Sequence, residues 1–347
     1  MAQRIRIGLI GAGANTRKRH IPGLLAVPGV ELTAVCNRRR ESTAAAAKEY
    51  GIAKTFERWQ DLIEDSDVDA VMVGTWPYLH CPIVLAALEA DKHVLTEARM
   101  SLNAAEARVM FEASQRKPKI VCQIVPSPFG LKGNQYVRDL LADGYVGEMR
   151  EVTVLGFNDN LGGPDSPLSW RQDAALSGFN MLTVGIVHES VLRWVAPPVR
   201  VMAQVHAFIP TRVDPESGIR RAVGTPDSVQ ILVTLADHAR AVYQFSGVTP
   251  YGAGSSITMR GDAGYLHYDL MTDRITGQRE GGKTSSELTI PPEKAGGWRV
   301  EADFIDSIRD GSPVRYTDFA TGVSYMEFTE AVARSARDGV AVMLPDQ

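Results

Sequence analysis

Gly11 and Gly13 stand where an apolar run, residues 5–10, gives way to a helical pattern, and they carry the strongest chemical signal in the chain. A glycine pair between a buried strand and a helix lets the backbone turn tightly. It also brings backbone N–H groups toward a pyrophosphate at the helix N-terminus. Thr16 stands in place of the usual third glycine, small enough for close strand–helix packing. The pattern predicts dinucleotide binding; the alternative is a glycine turn that holds no ligand. Beyond the second predicted strand, residues 30–36, an NAD site normally places a carboxylate for the ribose 2′-hydroxyl. Here Asn37 is followed by Arg38, Arg39 and Arg40. Losing the carboxylate removes repulsion toward a 2′-phosphate, and a guanidinium pairs with phosphate in a bidentate manner. The reading is NADP, with NAD possible; a solvated charge run is the other account of the arginines, as it is of Arg17, Lys18 and Arg19.

The elements that must hold these residues alternate over the first 125 positions. Strands are predicted at 5–10, 30–36, 67–74, 92–96 and 120–124, and helices after residue 13 and at 42–50, 82–90 and 104–114. Buried strands separated by helices imply βαβ units and a doubly wound parallel sheet. From about 150 to 290 the pattern changes to β-rich stretches at 151–156, 199–208, 229–235, 241–245 and 256–260, which suggests a mostly antiparallel sheet. Helices are predicted at 133–142, 181–194, 300–309 and 320–335, and turn-rich loops at 162–166 and 277–286. The expected organisation is an α/β dinucleotide-binding domain, 1–125, followed by an α+β substrate-binding and oligomerisation domain, 126–347.

A chain of 347 residues can bury two cores. With 44% hydrophobic and 22% charged residues it is globular in composition rather than disordered. A net charge of −4 argues against a nucleic-acid or membrane surface. Cys36, Cys81 and Cys122 lie in apolar stretches without metal-type spacing, so no metal site and no disulfide framework are expected. A strand begins almost at Met1, leaving no room for a signal peptide, and no apolar run approaches a membrane span. The expected location is the cytoplasm.

Taken together, the segments 11–22, 69–80, 85–97, Trp170-Arg171, Ser177-Gly178, 301–311 and 331–335 resemble the glucose–fructose oxidoreductase, inositol dehydrogenase and MocA family along nearly the whole chain. The resemblance implies a Rossmann domain, a C-terminal sheet domain that often assembles through its open face into dimers or tetramers, and sugar or cyclitol substrates. Asn15, Thr75, Trp76, Glu97, Arg99 and Arg171 join Gly11, Gly13, Thr16, Asn37, Arg38 and Arg39 as expected cofactor contacts.

The chain departs from the family where the chemistry should be. Most members read Glu-Lys-Pro at the position of Glu97-Ala98-Arg99, with the lysine near the nicotinamide. Alanine moves no proton, and a guanidinium does not deprotonate in a protein. An aspartate and a histidine of the family align with Thr183 and Val187, and the histidine stands one place on, at His188. One residue is a rotation of about 100° on a helix. His188 is therefore either a relocated acid–base or a buried structural histidine. Tyr78 and His80 follow the carboxyl end of the third strand, where doubly wound folds place ligands. Trp170, Arg171, Asn158 and Thr183 are candidates for sugar contacts, and Lys132 for a replacement ammonium, against ordinary roles in packing, turns or exposed loops.

These residues point to an NAD(P)-dependent oxidoreductase that exchanges hydride with a sugar, keto-sugar or cyclitol, with His188 as proton carrier and Tyr78 or His80 assisting. The alternatives are a redox-neutral epimerase or lyase that retains its nicotinamide, and a non-catalytic nucleotide or sugar sensor.

Overall fold

A computed structural model describes residues 4–345, and the chain divides into two compact units. The first comprises the chain up to Pro126 together with Arg299–Met326. The second comprises Ser127–Trp298 and the chain from Glu327 onward. A division at 125/126 misses the return of 299–326 to the first unit. A helix's partner across so long a separation is not written in its local pattern.

The first unit is built on six parallel strands: β1 (Ile5–Ile10), β2 (Val30–Cys36), β3 (Lys54–Thr55), β4 (Ala70–Val73), β5 (His93–Thr96) and β6 (Cys122–Ile124). Their order is β3-β2-β1-β4-β5-β6. β1 is paired on both edges, and Ile5, Ile7, Leu9 and Ile10 are all buried, as a parallel strand covered on both faces requires. The chain runs outward from β1 through β2 to β3, then restarts beside β1 at β4. The carboxyl ends of β1 and β4 therefore flank the topological switch point, where such sheets bind ligands. The returning helix Val300–Asp310 is anchored by Gln123, whose side-chain amide donates to the Val300 carbonyl at 3.0 Å, while the Ile124 N–H donates to Thr317 at 2.9 Å.

The second unit holds β7 (Met149–Phe157), β8 (Pro198–His206), the pair β9 (Thr211–Val213) and β10 (Arg220–Ala222), β11 (Ser228–Leu235), β12 (Arg240–Ser246), β13 (Ser255–Gly261), β14 (Gly264–Asp269), β15 (Arg274–Arg279), β16 (Ser286–Glu287) and β17 (Val342–Met343). Nine of them form one sheet, β16-β15-β14-β13-β7-β12-β11-β8-β17, antiparallel except for β7 beside β12. Residues 277–279, predicted as loop, complete β15. Alternation sorts the faces: Val229, Ile231, Val233 and Leu235 of β11 point into a core shared with Tyr243, Ile257, Met259, Val187, Val191 and Phe328. On the other face Leu232 is 58% exposed and its cross-strand neighbour Met202 48%. Among the described residues no helix is long and apolar enough to cross a membrane.

Candidate active site

Gly11 leaves β1 with φ +92°, a conformation that L side chains rarely adopt. A Cβ there would lie 2.7 Å from the Gly74 backbone, and one on Gly74 would lie 2.2 Å from the Thr16 hydroxyl. Glycine is thus required on both sides of the switch point. Thr16 is buried and its hydroxyl donates to the Gly11 carbonyl at 3.0 Å, so the residue in the third-glycine position closes the turn instead of lining the site.

A cavity of about 440 Å³ opens beside this turn, lined among others by Gly11, Gly13, Asn37, Arg38, Thr75 and Trp76. The Thr75 hydroxyl is buried with no hydrogen-bond partner among the described residues. A glycine cradle at a switch point, with an orphaned hydroxyl in its wall, fits a dinucleotide. Asn37 is already engaged: its Oδ1 accepts the Ala12 N–H at 2.6 Å and its Nδ2 donates to the Ser42 carbonyl at 2.9 Å. It braces the glycine loop against the end of β2. Arg38 is exposed and stacks on Trp76, 5.4 Å from the ring centroid. Arg39 is exposed and precedes the helix Arg40–Tyr50 as its N-cap. Tyr78, half-buried, also lines the cavity, with its ring 6.5 Å from that of Trp76.

At the end of the helical turn Thr16–His20 that follows the glycines lies a charged group that sequence reading did not assemble. His20 is fully buried, and donates from Nδ1 to Glu301 at 2.6 Å and from Nε2 to Glu97 at 3.0 Å. Burial alone would lower its pKa, but the hydrogen bonds to Glu301 and Glu97 outweigh that and raise it to about 9. Glu97, with its side chain 15% exposed, is pushed upward by burial and pulled further down by the bond and charge of His20 and by the Asn15 amide, which donates to it; its pKa ends below the usual value. Asn15 and Glu97 are therefore joined to each other and to His20. The signal available in the sequence was Glu301, a carboxylate one turn from Phe304 and Ile305 on the apolar face of its helix.

Two of the expected proton carriers are spent elsewhere. His80 is fully buried, its Nδ1 2.9 Å from the Arg99 carbonyl and its Nε2 3.1 Å from the Thr75 carbonyl, and desolvation lowers its pKa. It ties the loop after β5 to the loop after β4. Arg99 is itself buried and does not line the cavity; the peptide before it is cis. His188 is 1% exposed, stacked at 3.6 Å on Phe328, with Nδ1 2.9 Å from the Tyr243 hydroxyl. Desolvation lowers its pKa to about 3, so at neutral pH it is an uncharged packing group in the core of the second unit. The relocated acid–base reading of His188 is corrected accordingly: the helix Val184–Val191 is buried on nearly every side, and His188 packs into the core as its neighbour Val187 does.

The remaining candidates lie in the second unit. Thr183 is half-buried at the start of that helix. The Asn158 Oδ1 accepts the Asn160 N–H at 3.1 Å, a local turn. Trp170 is half-buried under Arg171, which is exposed and 4.3 Å from its ring centroid. Lys132 is exposed. Cys36, Cys81 and Cys122 are free and buried, and the described residues contain no cluster arranged to hold a metal ion.

Fold and site together define a dinucleotide-binding oxidoreductase with a separate sheet unit. The chain belongs to the glucose–fructose oxidoreductase, inositol dehydrogenase and MocA family: residues 5–124 match its "Oxidoreductase family, NAD-binding Rossmann fold" and residues 134–267 its C-terminal domain. It is 26% identical over 339 residues to 1,5-anhydro-D-fructose reductase of Ensifer adhaerens, covering 97% of each chain. It is 26% identical to levoglucosan dehydrogenase of Pseudarthrobacter phenanthrenivorans over 64% of this chain and 59% of that one. The fold is similar to that of a levoglucosan dehydrogenase solved with NADH and L-sorbose, at TM-score 0.88 and 21% identity, covering 99% of both chains.

Proposed function

We propose that this chain is an NADP-dependent oxidoreductase that transfers hydride to or from a sugar or keto-sugar, with Tyr78 moving the hydroxyl proton. The observation that carries the cofactor choice is the Arg38–Trp76 stack at the rim of the glycine cavity, with Asn37 occupied by backbone. No carboxylate follows β2 directly to repel a 2′-phosphate, and Arg38 offers a guanidinium to pair with one. Gly11, Gly13 and Thr75 hold the diphosphate side, and Glu97, bonded to Asn15 and His20, braces the two ends of the helical turn Thr16–His20. The bound nicotinamide supplies a C4 that accepts or gives hydride.

The sugar class rests on the relatives, which are named for 1,5-anhydro-D-fructose and levoglucosan. Trp170 offers a ring face for stacking on a sugar, and Arg171, Asn158 and Thr183 offer polar groups. Tyr78 is the one of the three expected proton carriers that is half-exposed and borders the cavity. The exposed Leu232 and Met202 make the open sheet face the surface for homo-oligomer assembly. Three unpaired cysteines suit the cytoplasm.

The test is single-turnover absorbance of reduced nicotinamide, with either cofactor, against levoglucosan, 1,5-anhydrofructose, other sugars and cyclitols. Stoichiometric hydride transfer with NADP ahead of NAD supports the reading. Cofactor and sugar binding without any transfer overturns it in favour of a sensor. Tyr78→Phe is expected to slow the chemical step by about 100 to 10,000-fold, the usual worth of general acid–base catalysis. Turnover unchanged in that variant removes Tyr78 from the mechanism.

A further inference from the structure

Residues 158–173 leave β7 and reach Trp170 and Arg171 with almost no regular structure of their own. Their start is tied to the end of β12 and the residue after it, where the Asn158 N–H donates to Ser246 at 2.9 Å and the Leu161 N–H to Gly247 at 2.7 Å; the rest is held by the β9–β10 pair and the chain just after it. The Leu168 N–H donates to the Val213 carbonyl at 2.8 Å, and the Gly224 N–H to Gln172 at 2.8 Å. The Thr225 hydroxyl donates to the Arg171 carbonyl at 3.0 Å. Arg221 pairs with Asp173 at 3.0 Å and with Asp214 at 3.3 Å.

The central contact is Arg212. It is 1% exposed, and its guanidinium donates to the carbonyls of Leu161, Gly163 (2.6 Å) and Ser166 (3.1 Å). Among the described residues no carboxylate pairs with it, and its Nε has no partner. A buried cation is costly unless something compensates its lost hydration. Among the described residues its compensation is three carbonyl dipoles, all from one loop. The planar fork of the guanidinium fixes where those three oxygens must lie, so Arg212 dictates the path of the loop between Leu161 and Ser166.

We infer that Arg212 is a positioning residue that sets sugar recognition: through this loop it places Trp170 and Arg171. The inference rests on the proposed sugar reading for the kinetic effect, but not for the loop brace itself. Two readouts on Arg212→Met, Arg212→Lys and Arg221→Ala separate them. Arg221 is half-exposed, so its variant leaves the core untouched. The first is steady-state kinetics with the best sugar found. KM for the sugar rises about tenfold or more in Arg212→Met, less in Arg212→Lys and least in Arg221→Ala, while kcat and NADP affinity stay within about threefold.

The second is hydrogen exchange without substrate. In Arg212→Met the protection of the Leu168 and Gly224 amides falls about tenfold or more, while amides of β11 and β12 keep theirs. Unchanged KM in a folded Arg212 variant overturns the specificity role. Unchanged loop protection overturns the brace, whether or not any sugar is turned over. If Arg212→Met does not fold, Arg212→Lys and Arg221→Ala decide both points in the same way.

Discussion

Replacing His20 by glutamine removes the only imidazolium from between Glu97 and Glu301 in the first unit, and its effect can be worked out in advance. His20 keeps its proton up to about pH 9 in the folded chain but only to 6.5 when unfolded. The stabilisation is therefore complete below pH 6.5 and is lost as pH rises through 9. The shift amounts to about 3.5 kcal/mol at ~1.4 kcal/mol per unit. Glutamine donates from a single nitrogen and carries no charge, so it cannot replace an imidazolium that meets the two carboxylates from Nδ1 and Nε2. Breaking a buried ionic group in this way costs about 3–5 kcal/mol. At about 2–4 °C per kcal/mol for a unit of this size, the unfolding midpoint is expected to fall by about 6–20 °C near pH 6. Calorimetry across pH 6 to about 9.5 checks this, since a two-unit chain can resolve separate transitions. The difference between wild type and His20→Gln must shrink as pH passes 9, because wild type then loses its own advantage. A difference below about 1 kcal/mol, or one constant over that range, refutes the charged arrangement.

Cofactor choice is tested by Arg38→Ala, which is expected to weaken NADP about tenfold relative to NAD by titration of both, in line with one lost charge-assisted pair. Adding Asn37→Asp should then favour NAD; unchanged relative affinities would reject the arginine assignment. His188→Gln is expected to leave kcat within about threefold, far from the 100 to 10,000-fold of a lost acid–base. The same variant tests an acid limb: His188 titrates near 3 when folded and 6.5 when unfolded, so the second unit loses stability as pH falls from 6.5 toward 3, by up to about 5 kcal/mol. In His188→Gln the slope over that window must be shallower. Leu232→Glu places a charge on the open sheet face, and light scattering is expected to report smaller particles than wild type.

How far the sequence reached can be argued element by element. β1 and β2 lie at the residues their patterns indicate: β1 is a nearly continuous apolar run bounded by turns, and β2 alternates over Val30–Thr33 before its buried end. β14 and β15 were not read, since Gly264, His267, Asp269 and Gly277 dilute an alternation whose inward members are Leu266, Tyr268 and Ile275. The glycine cradle was legible from spacing alone. The way Asn37 spends its side chain was not, because both its partners are backbone atoms on other turns. His20 and Glu301 are 281 positions apart, and only the oddity of a carboxylate on an apolar helix face hinted at a partner.

His188 shows why the catalytic residues were the hardest to read. A histidine on a helix is catalytic or structural according to the face it occupies, and the helix Val184–Val191 offers hardly any face that is not buried. Thr183 and Val187, the positions the resemblance aligns with an aspartate and a histidine, sit four apart, and neither carries a proton-transfer group at neutral pH. Ala98 removes a third such group. The two histidines that might have compensated hold carbonyls or pack against phenylalanine. On the proposed reading the cofactor cradle is kept and the proton path differs from the family's. Tyr78 on the cavity wall is where that path can begin, and a Tyr78→Phe variant with full hydride transfer would move the search to groups the family does not use.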